Sequence, residues 1–216
     1  MARTPTPKYR PTTGAPVVGA RKAPSRNTHG VAGGSAAGMA RRGGGDTWAV
    51  GARGEKITGN ALDVLTAADP DLHVFHDLAL PGHVANIDHL LIRGSRVLIL
   101  DTKQVKAGFY WTLRGVVLRG LSPAGHLSKK GPQLVQRLVR EKTAVAAGLP
   151  AGSVTTYLVM RPPPGKALTC WALRLSDGVR AVPAARMAAL VRRELGTGPV
   201  LPNTALLAWA GRLRRG

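Results

Sequence analysis

One cysteine, Cys170, occurs among 216 residues, which excludes an intrachain disulfide and makes a reducing, cytoplasmic setting the simplest expectation. No run of about 18 apolar residues is present, so no membrane-spanning helix is expected. The first residues lack the apolar core of about 7–15 residues that marks a signal peptide, and no stretch lines Trp or Phe along one helical face as a membrane-surface protein would. Aromatic residues make up only 4% of the chain, so a core must be built from Leu, Val, Ile and Ala within the 44% apolar content. Acid is the last scarcity: 11 Asp and Glu stand against 31 Lys and Arg, a net charge of +20. Such a charge concentrates polyanions, which points to nucleic acid, DNA or RNA, as the first partner and an anionic membrane surface as the second, and to a nucleoid-associated location.

The acid deficit is not evenly spread. Residues 1–45 hold eight Lys or Arg and no acid, in a background of Gly, Pro, Ser, Thr and Ala. They have too little apolar surface to offset the entropy of ordering, and a disordered basic arm is expected. From Asp46 the pattern becomes helical, with apolar residues at Val50, Ile57, Ala61, Val64 and Leu65, and a stop at Pro70. Gly51, Gly54 and Gly59 lie inside this helix; each costs about 1 kcal/mol against Ala, which implies close packing against a neighbour.

Strand-like segments follow: LHVFHDLAL, VANIDHLLI, VLILDTKQ, GFYWTL and GVVLRG. A second helix is expected over GPQLVQRLVREKTAVAAGL, then strands at VTTYLVM and TCWALRL, then helices at PAARMAALVRREL and NTALLAWAGRLRRG. The order predicts an α/β domain over 46–182 with a mixed sheet flanked by helices, and C-terminal helices over 183–216 packed on it or extending it.

The hairpin between VANIDHLLI and VLILDTKQ carries the chemistry. Gly94-Ser95 suits a two-residue type II′ turn, which sets Arg93 opposite Arg96. That register pairs Ile92 with Val97, Leu90 with Ile99, Asp88 with Asp101 and Asn86 with Lys103, all on one face. Opposed carboxylates about 5 Å apart repel by roughly 3 kcal/mol at an effective dielectric near 20. A shared proton, Lys103 or a divalent cation relieves this; Mg²⁺ suits a pair of carboxylates because it keeps several of its own waters.

These residues resemble a family. GARGE in the first helix, NIDHLLI in one strand, VLILDTKQ in the next and a later helix with Pro and Gln are similar to the NERD, or nuclease-related, domain of the PD-(D/E)XK nuclease superfamily. The resemblance implies a restriction-endonuclease-like fold and cleavage of DNA phosphodiesters with Mg²⁺ or Mn²⁺. By position, Glu55 matches the first-helix acid, Asp88 the strand acid, and Asp101 with Lys103 the acid-x-lysine element. The later glutamine falls on Gln136, with Gln133 the other candidate. On this basis Asp88, Asp101, the backbone carbonyl of Thr102 and Glu55 are the expected metal ligands, and Lys103 the catalytic cation.

The alternative is a DNA-binding or plasmid-maintenance protein that keeps the nuclease fold without cutting. Opposed aspartates argue against it, since a pure binder has no use for them in a positive groove. His73 and His76 are expected on opposite sides of a strand, and His83, His89 and His126 lack ligand spacing. Cys170 reads as a small buried residue. Trp48, Trp111, Trp171 and Trp209 look too scattered to form a stacking platform; Phe109, Tyr110 and Trp111 could touch unpaired bases, but core packing is the expectation.

Overall fold

The computed structural model describes residues 26–41, 45–79, 86–128, 130–150 and 152–213. In chain order the elements are β1 (Thr28–His29), α1 (Gly34–Met39), α2 (Gly45–Ala68), β2 (Leu72–Ala79), β3 (Asn86–Arg93), β4 (Arg96–Gln104), β5 (Gly108–Leu113), β6 (Val116–Arg119), β7 (Ser122–Pro123) and α3 (Gly125–Ser128). They continue with α4 (Lys130–Ala146), β8 (Val154–Arg161), β9 (Leu168–Ala172), β10 (Arg180–Pro183), a 3₁₀ turn at Ala184–Arg186, α5 (Met187–Leu195) and α6 (Thr204–Arg212).

Where one mixed sheet was expected, there are two. The larger runs β1-β2-β3-β4-β8-β10 and the smaller β7-β6-β5-β9. The reason lies in edge availability. β4 has only two edges: β3 takes one antiparallel and β8 the other parallel. β5 follows β4 directly and finds neither edge open, so the chain turns away at Gly108 (φ 133°). It then pairs with β6 and, in parallel, with β9.

Both faces of the larger sheet are covered. Ile99, Leu90, Ile92 and Val97 pack with Val139 of α4 and with Leu206 and Ala210 of α6. Leu98, Leu100 and Leu91 pack with Leu62 of α2 and with Leu190 and Val191 of α5. This is the alternation expected for a strand buried on both sides, one residue to each layer in turn. A third cluster, around Tyr110, Met160, Cys170 and Val179, fills the space between the two sheets, so Cys170 is the small buried residue expected.

The N-terminal boundary is also different. Residues 1–25 of the expected arm lie outside the described residues, but 26–41 carry β1 and α1. β1 adds to β2 in parallel register, His29 stacks on Phe75 at 4.4 Å, and Thr28 bonds Thr66 at 3.0 Å. Composition undervalues this segment because a neighbouring strand edge, not its own apolar content, holds it.

α2 shows why it tolerates glycine. A Cβ on Gly59 would lie 2.4 Å from the Cβ of Ala32, and one on Gly54 would lie 2.9 Å from Gln104 Cγ. Two of the three glycines therefore let the helix approach its neighbours; Gly51 faces open space.

Candidate active site

The hairpin register is the expected one where the ladder runs. Arg93 pairs with Arg96, Ile92 with Val97 and Leu90 with Ile99, and Gly94 takes φ 57°. The ladder ends at His89 and Leu100. Beyond it neither Asp88 with Asp101 nor Asn86 with Lys103 forms a backbone pair, contrary to the simple extrapolation. Instead the Asp88 carboxylate accepts a hydrogen bond from the Thr102 N–H at 2.8 Å. The side chain does the ladder's work, so the two strands separate where the acids lie.

Asp101 is buried, its side chain 7% exposed, and Lys103 Nζ donates to its Oδ1 at 3.1 Å. Its other oxygen, Oδ2, is buried without a hydrogen-bond partner. Lys103 remains 43% exposed, so its ammonium spans from the buried carboxylate to solvent. The Asp101 carboxylate holds that ammonium above its ordinary pKa against the opposing effect of burial.

Glu55 reaches the same place from α2. Burial raises its carboxyl from 4.5 to about 7; Lys103 pulls it down, while repulsion from Asp101 and Asp77 pushes it up. Burial likewise lifts the Asp88 carboxyl well above the usual range, and Asp101 and Glu55 push it further, while Lys103 and the Thr102 N–H oppose them. Glu55, Asp88, Asp101 and Lys103 thus form one electrostatic cluster at the end of the β3–β4 hairpin.

Gln136 is buried on α4, the helix that covers the face shared by Ile99, Asp101 and Lys103. The Gln133 side chain lies outside the described residues. No group of three His, Cys, Asp or Glu side chains arranged to hold a metal ion occurs among the described residues.

Three further groups were not anticipated. The β2–β3 ladder pairs His76 with His89 and Leu78 with Ile87, which places Asp77 across from Asp88. Asp77 is buried, adopts φ 54°, and accepts a hydrogen bond from the Ser35 N–H at 2.7 Å. A non-glycine residue in that conformation inside a strand is strained, a condition that clusters at functional sites. Its place opposite Asp88 was not legible in sequence because the longer β2–β3 connection does not fix a register as a two-residue turn does.

Second, His76 and His89 are both buried and touch Nδ1 to Nδ1 at 2.8 Å. His76 Nε2 meets Asp63 at 3.0 Å, and His89 Nε2 meets the Thr102 hydroxyl at 3.4 Å. Burial holds His89 well below its usual pKa, with His76 and Arg161 adding to the effect. One tautomer assignment satisfies every link: His76 donates to Asp63, His89 donates to His76, and Thr102 donates to His89. The chain of bonds ends on Thr102, the residue whose N–H holds Asp88. The expectation that these histidines are structural stands, but they act as a pair across two strands. His83 lies outside the described residues. The third group is Gln104 with Arg161, paired across β4 and β8 at the same strand end; Arg161 Nε donates to the Thr58 hydroxyl on α2 at 3.3 Å.

No described helix is long and apolar enough to cross a membrane. No curated protein and no solved structure matches the chain. The model of the NERD family, described as the nuclease-related domain, matches residues 50–159, a span that runs from α2 through most of β8 and includes Glu55, Asp88, Asp101, Lys103 and Gln136. A chain whose four clustered site residues and sheet core both fall inside that match belongs to the nuclease-related domain family.

Proposed function

We propose that this protein hydrolyses DNA phosphodiester bonds with Mg²⁺ or Mn²⁺ as cofactor. The observation that carries the reading is the buried Asp101 oxygen without a partner, set beside a desolvated Asp88 and an ion-paired Lys103. An unpaired buried carboxylate oxygen is costly to leave unsatisfied, and a hard divalent cation is the ligand that such a site fits. Asp88, Asp101 and the Thr102 carbonyl would hold the ion, with Glu55 on its outer side; two carboxylates suffice for an ion that keeps most of its waters. When bound, the ion supplies Lewis acidity, offsetting phosphate charge and making water a stronger acid.

The chain's own residues supply the rest. Lys103 is a cation whose position is set by Asp101 and whose exposed end would meet a bound phosphate, where charge grows in the transition state. Glu55, titrating near 7, is matched to taking or giving a proton at neutral pH. Gln136, buried on α4, would supply an amide to the site. The His76–His89–Thr102 chain fixes the N–H that orients Asp88. Net charge of +20 holds the DNA backbone without reading sequence.

The test is Asp101→Ala on supercoiled, linear and single-stranded DNA, with Mg²⁺ or Mn²⁺ and with a chelator. Cleavage that needs the ion and disappears in the variant, with salt-sensitive DNA binding kept, is the expected result. Equal cleavage by both proteins overturns it. The second reading, a DNA-binding or plasmid-maintenance protein that does not cut, draws on the lack of a three-ligand metal group among the described residues. Calorimetry separates the two: a non-cutting binder takes up no Mg²⁺ or Mn²⁺.

A further inference from the structure

The smaller sheet brings together two aromatic residues that sequence keeps far apart. Parallel pairing of β5 with β9 sets Phe109 beside Thr169, with a register shift before Trp111. Phe109 and Trp171 thereby meet with ring centroids 5.9 Å apart. Neither is core: Phe109 is 37% and Trp171 74% exposed. Trp111 and Trp171 lie on these two paired strands, and the stacking surface is made by Trp171 with a phenylalanine. Tyr110, between Phe109 and Trp111, is buried instead.

Trp171 also lines an open groove of about 920 Å³ running between β9 and the β10–α5 segment. Arg174, Arg180, Arg186 and Arg193 line the same groove and are exposed. Three of these cations are held in place, Arg174 by donating to the Trp171 and Leu173 carbonyls at 3.4 Å. Arg180 and Arg193 donate to the Tyr157 hydroxyl at 3.1 and 2.9 Å, and that hydroxyl donates to Glu194 at 2.8 Å. A guanidinium has five N–H donors, so this anchoring orients it without exhausting it. Among the described residues Glu194 is the only acid lining the groove, and Arg193 Nη2 donates to it at 2.7 Å.

We propose that this groove binds an unpaired strand of nucleic acid, its bases stacking on Trp171 and Phe109 and its phosphates lying along the four arginines. Duplex bases are already stacked on each other and present only their edges, whereas a single strand offers the faces that an exposed ring pair can take. An exposed ring pair beside a groove in which four arginines stand against one acid meets both needs of such a strand. The groove also lies within reach of the site. Phe109 follows Lys103 by six residues, at most about 21 Å along the chain. This inference rests on the protein acting on nucleic acid and names the strand form it engages.

The test uses the full chain in chelator, so that no strand is cut, with a labelled dT oligonucleotide of about 15 nucleotides and a duplex of the same length. Fluorescence anisotropy gives affinity for each. Trp171→Ala is expected to weaken dT binding by about 5- to 150-fold and duplex binding by less than about twofold, with Trp171→Phe recovering most of the loss. Arg186→Gln is expected to lower the slope of log affinity against log salt on dT by about 0.7. Unchanged dT binding by Trp171→Ala, or an equal loss on duplex, overturns the inference. Asp101→Ala, with cleavage lost and dT binding kept, separates the two claims. If wild type fails to cut while Trp171 still governs dT binding, the nuclease reading fails and this one stands.

Discussion

Replacing Glu55 by Gln removes a candidate site residue and is expected to make the protein more stable. In the folded state the carboxyl moves from 4.5 to about 7, chiefly through burial. The folded state therefore binds more protons than the unfolded chain across that window, and stability falls as pH rises from 4.5 to 7. Below the window both states are protonated and the penalty is absent. Above it the full cost is about 3 kcal/mol, since one pH unit is worth about 1.4 kcal/mol. Glu55 is only partly buried, and solvent screening reduces the figure to about 1–2 kcal/mol. Gln carries no charge at any pH. For a chain of this size 1 kcal/mol moves the melting temperature by about 2–4 °C, so Glu55→Gln is expected to melt about 2–8 °C higher at pH 8 in chelator. The gain should shrink toward zero at pH 4.5 and below. Thermal melts followed by circular dichroism across pH 4–8 check this. A variant that melts no higher at pH 8, or that gains equally at both ends, would show that packing rather than ionisation governs the site.

Other consequences follow from the same geometry. Uptake of Mg²⁺ at pH 6.5–7 should release protons, because Glu55, raised to about 7, is partly protonated in the ion-free protein; calorimetry in buffers of differing ionisation enthalpy reads the number, and zero release contradicts the assignment. His89 acts with the opposite sign to Glu55. Its folded pKa is depressed below 6.5, so its contribution is present above that value and is lost as pH falls below it, by about 1.4 kcal/mol per pH unit; a His89→Asn variant with an unflattened acid limb counts against the buried pair. Gly59→Ala should destabilise by about 1–3 kcal/mol despite alanine's better helix propensity, because its Cβ would meet Ala32. A denaturant midpoint at or above wild type would mean that the Ala32 segment is free to move aside.

What was legible in sequence was local. The Arg93–Arg96 turn names its own register, and from it the order Leu90–Ile99 and Ile92–Val97 follows by counting. The glycines of α2 signalled close approach, and two of the three deliver it. Asp88 and Asp101 were readable because each interrupts an otherwise apolar strand, whereas Glu55 was identified through the family resemblance. Extrapolation failed at the end of the ladder, where the Asp88 side chain replaces a backbone bond to Thr102. Nothing in a period-two pattern marks where strands part.

The composition determined a basic chain without a disulfide scaffold, and the residue order determined the hairpin that carries Asp88, Asp101 and Lys103. Tertiary structure alone decided which strands share an edge. The occupation of both β4 edges by β3 and β8 expelled β5 to a second sheet, and that expulsion put Phe109 against Trp171. The same long-range packing set Asp77 across from Asp88 and joined His76 to His89. Pairing between distant segments depends on which edges remain open after nearer ones have closed, and that competition is a property of the assembled sheet rather than of any one segment.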